Sequence, residues 1–219
     1  KYSLGSNNWA ISGEKSFNGY PILANDPHRS IAVPSLRYLT HLVSPNWNVI
    51  GGGEPEIPGI SIGHNEHGAW GLTVFRTDAE DLYIYDVNPE NKNMYWHNNK
   101  WLEFETIVEN IKIKDAETKE IELKYSVHGP VTLIDTIENR AYAVKCGWLE
   151  IGGSPYLASL RMDQAKTWEE FRDACNYSNI PGENMVWADK YGNIGWQAVG
   201  IIPIRNNHSG MVPVLGNGD

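Results

Sequence analysis

The chain has 219 residues, of which 41% are apolar, 11% aromatic and 21% charged, a balance typical of a globular protein with a sizeable core. Its net charge of -9, with no cluster of Lys and Arg, argues against a nucleic-acid partner. No apolar run is long enough to span a bilayer, so we expect no membrane association. Cys146 and Cys175 lack the spacing of a metal site and leave the redox compartment open.

Short segments of alternating apolar and polar residues predict that most of the chain forms strands. Taken from the N-terminus, the strand predictions cover 9–12, 82–87, 94–97, 101–104, 111–114, 121–125, 185–188 and 194–199. Turn residues separate the third and fourth of these segments, and also the last two, so each of these pairs predicts a hairpin.

Two helices are also predicted. Thr167 followed three residues later by Glu170 forms a capping box, and Trp168, Phe171 and Cys175 share one face of the helix that would follow. The second predicted helix is shorter and falls within the segment 27–42. The pattern as a whole predicts an α+β, strand-rich chain in one domain.

The dipeptide Gly5-Ser6, directly ahead of the first predicted strand, is a candidate nucleophile position. A Ser hydroxyl needs a base, and triad hydrolases carry the Ser on a strand-to-helix elbow with the pattern G-x-S-x-G. The one match to this pattern, at 59–63 (GISIG), is not followed by a predicted helix, so no such elbow is predicted here. When Ser is the first residue of a chain, its own α-amine, with a pKa of about 8, can act as the base. Gly at the preceding position suits an N-to-O acyl shift that would free this amine. The alternative is a disordered chain end, because Gly-Ser is a common dipeptide.

Seven segments, in a fixed order along the chain, carry a resemblance to a known family. They are 6–9 (SNNW), 23–28 (LANDPH), 58–65 (PGISIGHN), 69–73 (AWGLT), 78–81 (DAED), 127–130 (VHGP) and 188–195 (ADKYGNIG). Together they resemble the penicillin amidase (penicillin acylase) family of N-terminal-nucleophile hydrolases, over the whole chain.

The resemblance implies a fold of four layers, an αββα sandwich that would be incomplete in this chain. It implies that residues 1–5 are a residual pro-segment and that 6–219 form the N-terminal part of the β-chain domain. A precursor would cleave itself before Ser6, and the α chain and the remainder of the β chain would be partners. The substrate would be a small-molecule amide, such as a β-lactam side-chain amide or an acyl-homoserine lactone. No organic cofactor is implied, the location would be periplasmic or secreted, and this chain alone would be inactive.

The resemblance also assigns site residues. Ser6 is implied to be the nucleophile and the backbone N–H of Val74 to hold the oxyanion, with a second donor further along the β chain than this sequence extends. His28 is implied to lie near the nucleophile, where it would hold the Ser hydroxyl or the scissile carbonyl; the alternative is a turn histidine. Arg29 is implied to lie at the acyl pocket, where a guanidinium favours a polar or carboxylate-bearing acyl group. A solvent-exposed arginine is the alternative.

Asp78, Glu80 and Asp81 resemble the calcium loop of some members of the family. Closely spaced hard oxygen ligands suit a structural calcium ion. A solvated acidic loop is the alternative. A different class of function also stays open, namely a non-enzymatic, β-rich module that binds carbohydrate or peptide, since nine Trp and eleven Tyr would supply a stacking surface.

Overall fold

The computed structural model describes residues 5–153 and 156–218, and within them the chain is mostly β-structure. The strands are β1 (Gly5–Ile11), β2 (Ile22–His28), β3 (Tyr38–Ser44), β4 (Trp47–Gly53), β5 (Ile62–His64), β6 (Gly68–Val74), β7 (Glu80–Asp86), β8 (Met94–His97), β9 (Lys100–Glu103), β10 (Glu105–Ile111), β11 (Lys119–Ser126), β12 (Gly129–Asp135), β13 (Arg140–Cys146), β14 (Glu183–Asp189), β15 (Ile194–Val199) and β16 (Val214–Leu215). The α-helices among the described residues are α1 (Ser159–Met162) and α2 (Trp168–Cys175). The strand-rich part of the prediction is confirmed, and the helical layers of the αββα sandwich stay a prediction.

The chain divides into two compact units, where the sequence predicted one domain. The first consists of Lys1–Thr77 with Gly152–Ile201, and the second of Asp78–Ile151 with Ile202–Asp219. Residues 1–4 of the predicted pro-segment lie outside the described residues, so the structure describes only Gly5 of that segment.

The first unit is built on a six-stranded antiparallel sheet in the order β15-β14-β6-β5-β4-β3. The hairpin β1–β2 forms a separate two-stranded sheet that packs against β6 and β14. The core holds three large, fully buried aromatic residues, Trp70, Trp187 and Phe171, with the Trp70 and Trp187 rings stacked at 6.4 Å between their centroids. These residues come from β6, β14 and α2, so the core fixes the helix against two central strands.

Helix α2 begins where the capping box predicts. Thr167 Oγ1 accepts a hydrogen bond from the Glu170 N–H at 3.2 Å, and the Glu170 carboxylate accepts one from the Lys166 N–H at 2.7 Å. The buried face of the helix contains Phe171 and Cys175, as predicted. No helix in the described part of the chain has both the length and the apolar character that crossing a membrane requires.

The second unit is built on a sheet in the order β10-β11-β12-β13-β7-β16, with β8 and β9 paired as a separate hairpin. Strand β16 runs parallel to β7, and the other neighbours are antiparallel. Tyr85 and Tyr95 meet edge to face in its core, with ring centroids 4.8 Å apart, and Phe104 stacks on Tyr95. This unit therefore has a hydrophobic core of its own.

Two secondary-structure predictions are wrong, and the hairpin predictions are confirmed. Segment 27–42 holds the end of β2 and the start of β3 and no helix. The reason is that Pro27 and Pro34 interrupt a helical pattern, while Tyr38–Ser44 pairs with β4 along its whole length. Of the strand predicted over 111–114, only Ile111 lies in a strand, as the last residue of β10, and the chain after it leads into a turn. Both predicted hairpins form, as β8–β9 and β14–β15.

Candidate active site

Ser6 lies on the side of the β1–β2 hairpin that faces the six-stranded sheet. Side chains alternate along a strand, so Ser6 shares its face of β1 with Asn8. The Asn8 Nδ2 donates to the carbonyl oxygen of Asn184 on β14 at 3.1 Å, which turns this face toward the sheet. The Ser6 hydroxyl is half-buried and has no hydrogen-bond partner within residues 5–153 and 156–218.

The backbone N–H of Val74 points away from strand β14. Val74 lies opposite Glu183, and the Phe75 N–H donates to the Gly182 carbonyl at 2.9 Å beside this pair. Because hydrogen-bonded and non-hydrogen-bonded pairs alternate in an antiparallel ladder, Val74 and Glu183 form a non-hydrogen-bonded pair. On the other side of β6, strand β5 pairs with it only at 69–70 among the described residues. The Val74 N–H thus lies beyond the paired part of that edge, as an oxyanion donor requires.

Asn184 joins β1, the strand of Ser6, to β6, the strand that ends at Val74. Its carbonyl accepts from Asn8, and its Nδ2 donates to the Val74 carbonyl at 3.2 Å. Its Oδ1 accepts from the Trp196 indole N–H at 3.1 Å. The side chain and the backbone carbonyl of Asn184 therefore hold β1 and β15 in place relative to Val74, the last residue of β6.

The His28 imidazole lies beside the Gly5 backbone rather than the Ser6 hydroxyl. Gly5 pairs with His28 across the hairpin, and a Cβ placed on Gly5 would lie 3.4 Å from His28 Nδ1. His28 Nε2 lies 2.9 Å from the Asp26 carboxylate and 3.4 Å from Asn7 Nδ2. Because Nε2 cannot donate to Asp26 and accept from Asn7 at once, we assign its proton to the shorter contact with the carboxylate. In the neutral form of the imidazole, Nδ1, the nitrogen near Gly5, then carries the lone pair.

The Arg29 guanidinium contacts the same peptide. Its Nη1 lies 2.8 Å from the His28 carbonyl oxygen and 3.4 Å from the Gly5 carbonyl oxygen. The bond between Gly5 and Ser6 is the one that self-cleavage would break. The structure thus places Arg29 at this carbonyl, and its role in an acyl pocket stays a prediction.

The buried Glu183 carboxyl lies close enough to Arg29 for the two charges to interact, and the half-buried Arg37 and Glu54 lie near it. Arg37 Nη2 pairs with Glu54 at 2.5 Å, while Arg37 Nε and Nη1 and Glu183 Oε2 are buried without a partner among the described residues. Burial raises the pKa of Glu183 to about 7, against the opposing positive charges of Arg37 and Arg29. Burial, together with the negative charges of Glu183 and Glu54, raises the pKa of the Tyr156 hydroxyl to about 12.

The acidic loop of the second unit binds an arginine in this structure. Arg205 Nε lies 3.0 and 2.9 Å from the two carboxylate oxygens of Asp81. Its Nη1 pairs with the Asp78 carboxylate at 3.2 Å, and its Nη2 donates to the Asp78 carbonyl at 2.6 Å. Glu80 accepts a hydrogen bond from the Cys146 thiol at 3.4 Å.

These contacts do not fit a calcium site at the loop. The two carboxylates of Asp78 and Asp81 and the Asp78 carbonyl are the atoms that calcium would need, and one guanidinium, that of Arg205, already contacts all of them. Among the described residues, no group of three or more His, Cys, Asp or Glu side chains could hold a metal ion. We therefore derive no function through calcium.

Several residues of these sites were not predicted from the sequence, among them Asn184, Glu183 and Arg205. Asn184 and Glu183 are polar residues directly ahead of the apolar run 185–188 in the same strand, and this position is a usable signal. Arg205 gives no signal, because its partners lie more than a hundred positions earlier in the chain.

The chain is similar to known proteins over nearly its whole length. The family profile described as "Penicillin amidase" matches residues 2–219. The chain is 28% identical to a penicillin G acylase of Escherichia coli over 218 residues, which is 99% of this chain and 26% of that protein. It is 28% identical to an acyl-homoserine lactone acylase of Pseudomonas aeruginosa over 224 residues, covering 96% of this chain and 26% of that protein.

A solved structure is also similar. A thermostable penicillin G acylase from Alcaligenes faecalis matches with a TM-score of 0.88 and 30% sequence identity, over 95% of this chain and 38% of that one. The chain thus spans about a quarter of the length of the curated relatives named above.

Proposed function

Because the chain belongs to the penicillin amidase family, we propose that it is the nucleophile-bearing part of an amide hydrolase that uses Ser6. The observation that carries this proposal is the connection from the nucleophile strand to the oxyanion donor through Asn8 and Asn184. The Ser6 hydroxyl has no hydrogen-bond partner among the described residues, and the Val74 N–H is turned away from β14.

The reaction would be acyl transfer in two steps after self-cleavage frees the Ser6 amine. The amine, with a pKa of about 8, takes the proton of its own hydroxyl as Oγ attacks the amide carbonyl carbon. The negative charge that develops on the carbonyl oxygen is stabilised by the Val74 N–H. The proton passes to the leaving amine, and water then hydrolyses the ester on Ser6.

The substrate class follows from the relatives. Proteins named as penicillin and acyl-homoserine lactone acylases match this chain, so we propose that the substrate is a small molecule with a linear amide bond. The positive charge of Arg29 favours a polar or carboxylate-bearing acyl group. In the complete protein, the α chain and the rest of the β chain would be partners, and the location would be periplasmic or secreted.

The test uses the complete precursor with Ser6→Ala, and Ser12→Ala as the matched control. Ser12 lies just after the same strand and has no role in the proposal. We expect Ser6→Ala to remain uncleaved by intact mass and to hydrolyse no member of a panel of chromogenic amides. The control should process and turn over normally. An Ser6→Ala variant that still hydrolyses amides would refute the proposal.

A further inference from the structure

The guanidinium of Arg29 lies at the peptide bond that frees the nucleophile. Its Nη1 carries two hydrogens, and the structure places the carbonyl oxygens of His28 and Gly5 at 2.8 and 3.4 Å from it. The shorter contact holds the guanidinium to the hairpin, because His28 lies directly opposite Gly5 in the β1–β2 register. The longer contact reaches the carbonyl that Ser6 would attack.

Self-cleavage would concentrate negative charge at this oxygen. Ser6 Oγ forms a bond to the Gly5 carbonyl carbon, and the C=O electron pair moves to the oxygen. When that oxyanion collapses, the bond to the Ser6 nitrogen breaks and the nitrogen takes the hydroxyl proton, which leaves a Gly5 ester and a free amine. Water then hydrolyses the ester to a Gly5 carboxylate and the Ser6 hydroxyl. The step that makes the oxyanion needs a donor at the Gly5 oxygen.

We propose that Arg29 is that donor. It would stabilise the oxyanion on the Gly5 carbonyl oxygen during self-cleavage, before it meets the acyl group of any substrate. This inference rests on the proposed function of Ser6. A guanidinium gives a charge-assisted hydrogen bond, which is stronger than one from a neutral donor. Contacts that are long before reaction tighten as charge develops, so 3.4 Å in the uncleaved chain is consistent with the role.

The surroundings of Arg29 keep its charge available for this carbonyl. The nearby Arg37 is already paired with Glu54 at 2.5 Å. Burial favours the protonated, uncharged form of Glu183 up to a pH of about 7, so this carboxyl does not neutralise Arg29 below that pH. No ion pair of Arg29 with a carboxylate occurs among the described residues.

The experiment follows cleavage of the bond between Gly5 and Ser6 in the complete precursor by intact mass over time. We expect Arg29→Met to slow cleavage about 100-fold, since loss of an oxyanion donor costs on the order of 100- to 1000-fold. Arg29→Lys, which keeps the charge, should be intermediate. Arg140→Met removes a charge from β13 in the second unit and should cleave at the wild-type rate.

Chemical rescue separates this role from a structural one. Adding ethylguanidinium to Arg29→Ala should restore part of the cleavage rate, which a folding defect would not allow. Cleavage of Arg29→Met at the wild-type rate, or no rescue of a folded Arg29→Ala, would overturn the inference. If Ser6→Ala is blocked in the same assay, the proposed function survives that result. If Ser6→Ala also cleaves, the proposed function itself fails.

Discussion

The buried Glu183 carboxyl should make the free energy of unfolding depend on pH. Burial raises its pKa from 4.5 to about 7, despite the charges of Arg37 and Arg29. At about 1.4 kcal/mol per pKa unit, the ionised form costs the folded state about 3 kcal/mol. Since the folded-state pKa is raised, the folded state binds the proton more tightly. The protonated Glu183 carboxyl therefore makes its full contribution to the free energy of unfolding below pH 4.5, and this contribution is lost as the pH rises through 7. Glu183→Gln removes this ionisation and keeps the shape of the side chain.

The assay is urea unfolding of the chain and its Glu183→Gln variant at pH 4 and pH 8. We expect the free energies of unfolding to be similar at pH 4, and the variant to be more stable by up to about 3 kcal/mol at pH 8. Asp163, whose pKa is also raised by burial to about 7, contributes equally to both proteins and cancels in the difference. Glu169→Gln, at an exposed position on α2, should show no such dependence. A Glu183→Gln difference that does not change with pH would refute the reasoning.

Three further predictions follow from particular contacts. Asn184→Asp cannot donate to the Val74 carbonyl, so the free energy of unfolding should fall by about 1 kcal/mol. In the complete enzyme, kcat should fall more than KM rises, and an unchanged kcat would contradict this. The melting temperature of the chain should not respond to calcium or to a chelator, because Arg205 occupies the acidic loop. The variant Arg205→Met should have a lower melting temperature. A rise in the melting temperature of the wild-type chain with calcium would contradict this, since it would show that the ion displaces the guanidinium. As long as the bond between Gly5 and Ser6 is intact, the chain should hydrolyse no amide, because the Ser6 nitrogen is then an amide and cannot act as the base. Steady turnover of a chromogenic amide by chain that intact mass shows to be uncleaved would contradict this.

Local sequence signals predicted the elements that local interactions stabilise. The Thr167 cap placed α2, and turn residues placed both hairpins. The helix predicted within segment 27–42 does not form, because β3 pairs with β4, and helical periodicity does not reveal a contact between strands. The division into two units was missed for the same reason, since residues 202–219 join the second unit through long-range contacts.

The site could be predicted only in part. The dipeptide at Gly5 and Ser6 suggested a chemistry, and the resemblance supplied the remaining site residues. The structure added that Arg29 reaches the Gly5 carbonyl and that Asn184 connects β1 to Val74. Neither contact could come from spacing, because each depends on the register of the hairpin or on the packing of β1 against β14.

The most direct test of the account is to trap the acyl-enzyme. The processed complete enzyme is mixed with a chromogenic amide, quenched with acid within the first turnover, and mapped by peptide mass spectrometry. The account predicts that the acyl mass lies on the hydroxyl of a peptide that begins at Ser6 and has a free α-amine. An acyl group on another residue, or turnover without any covalent intermediate in a burst-phase experiment, would contradict it.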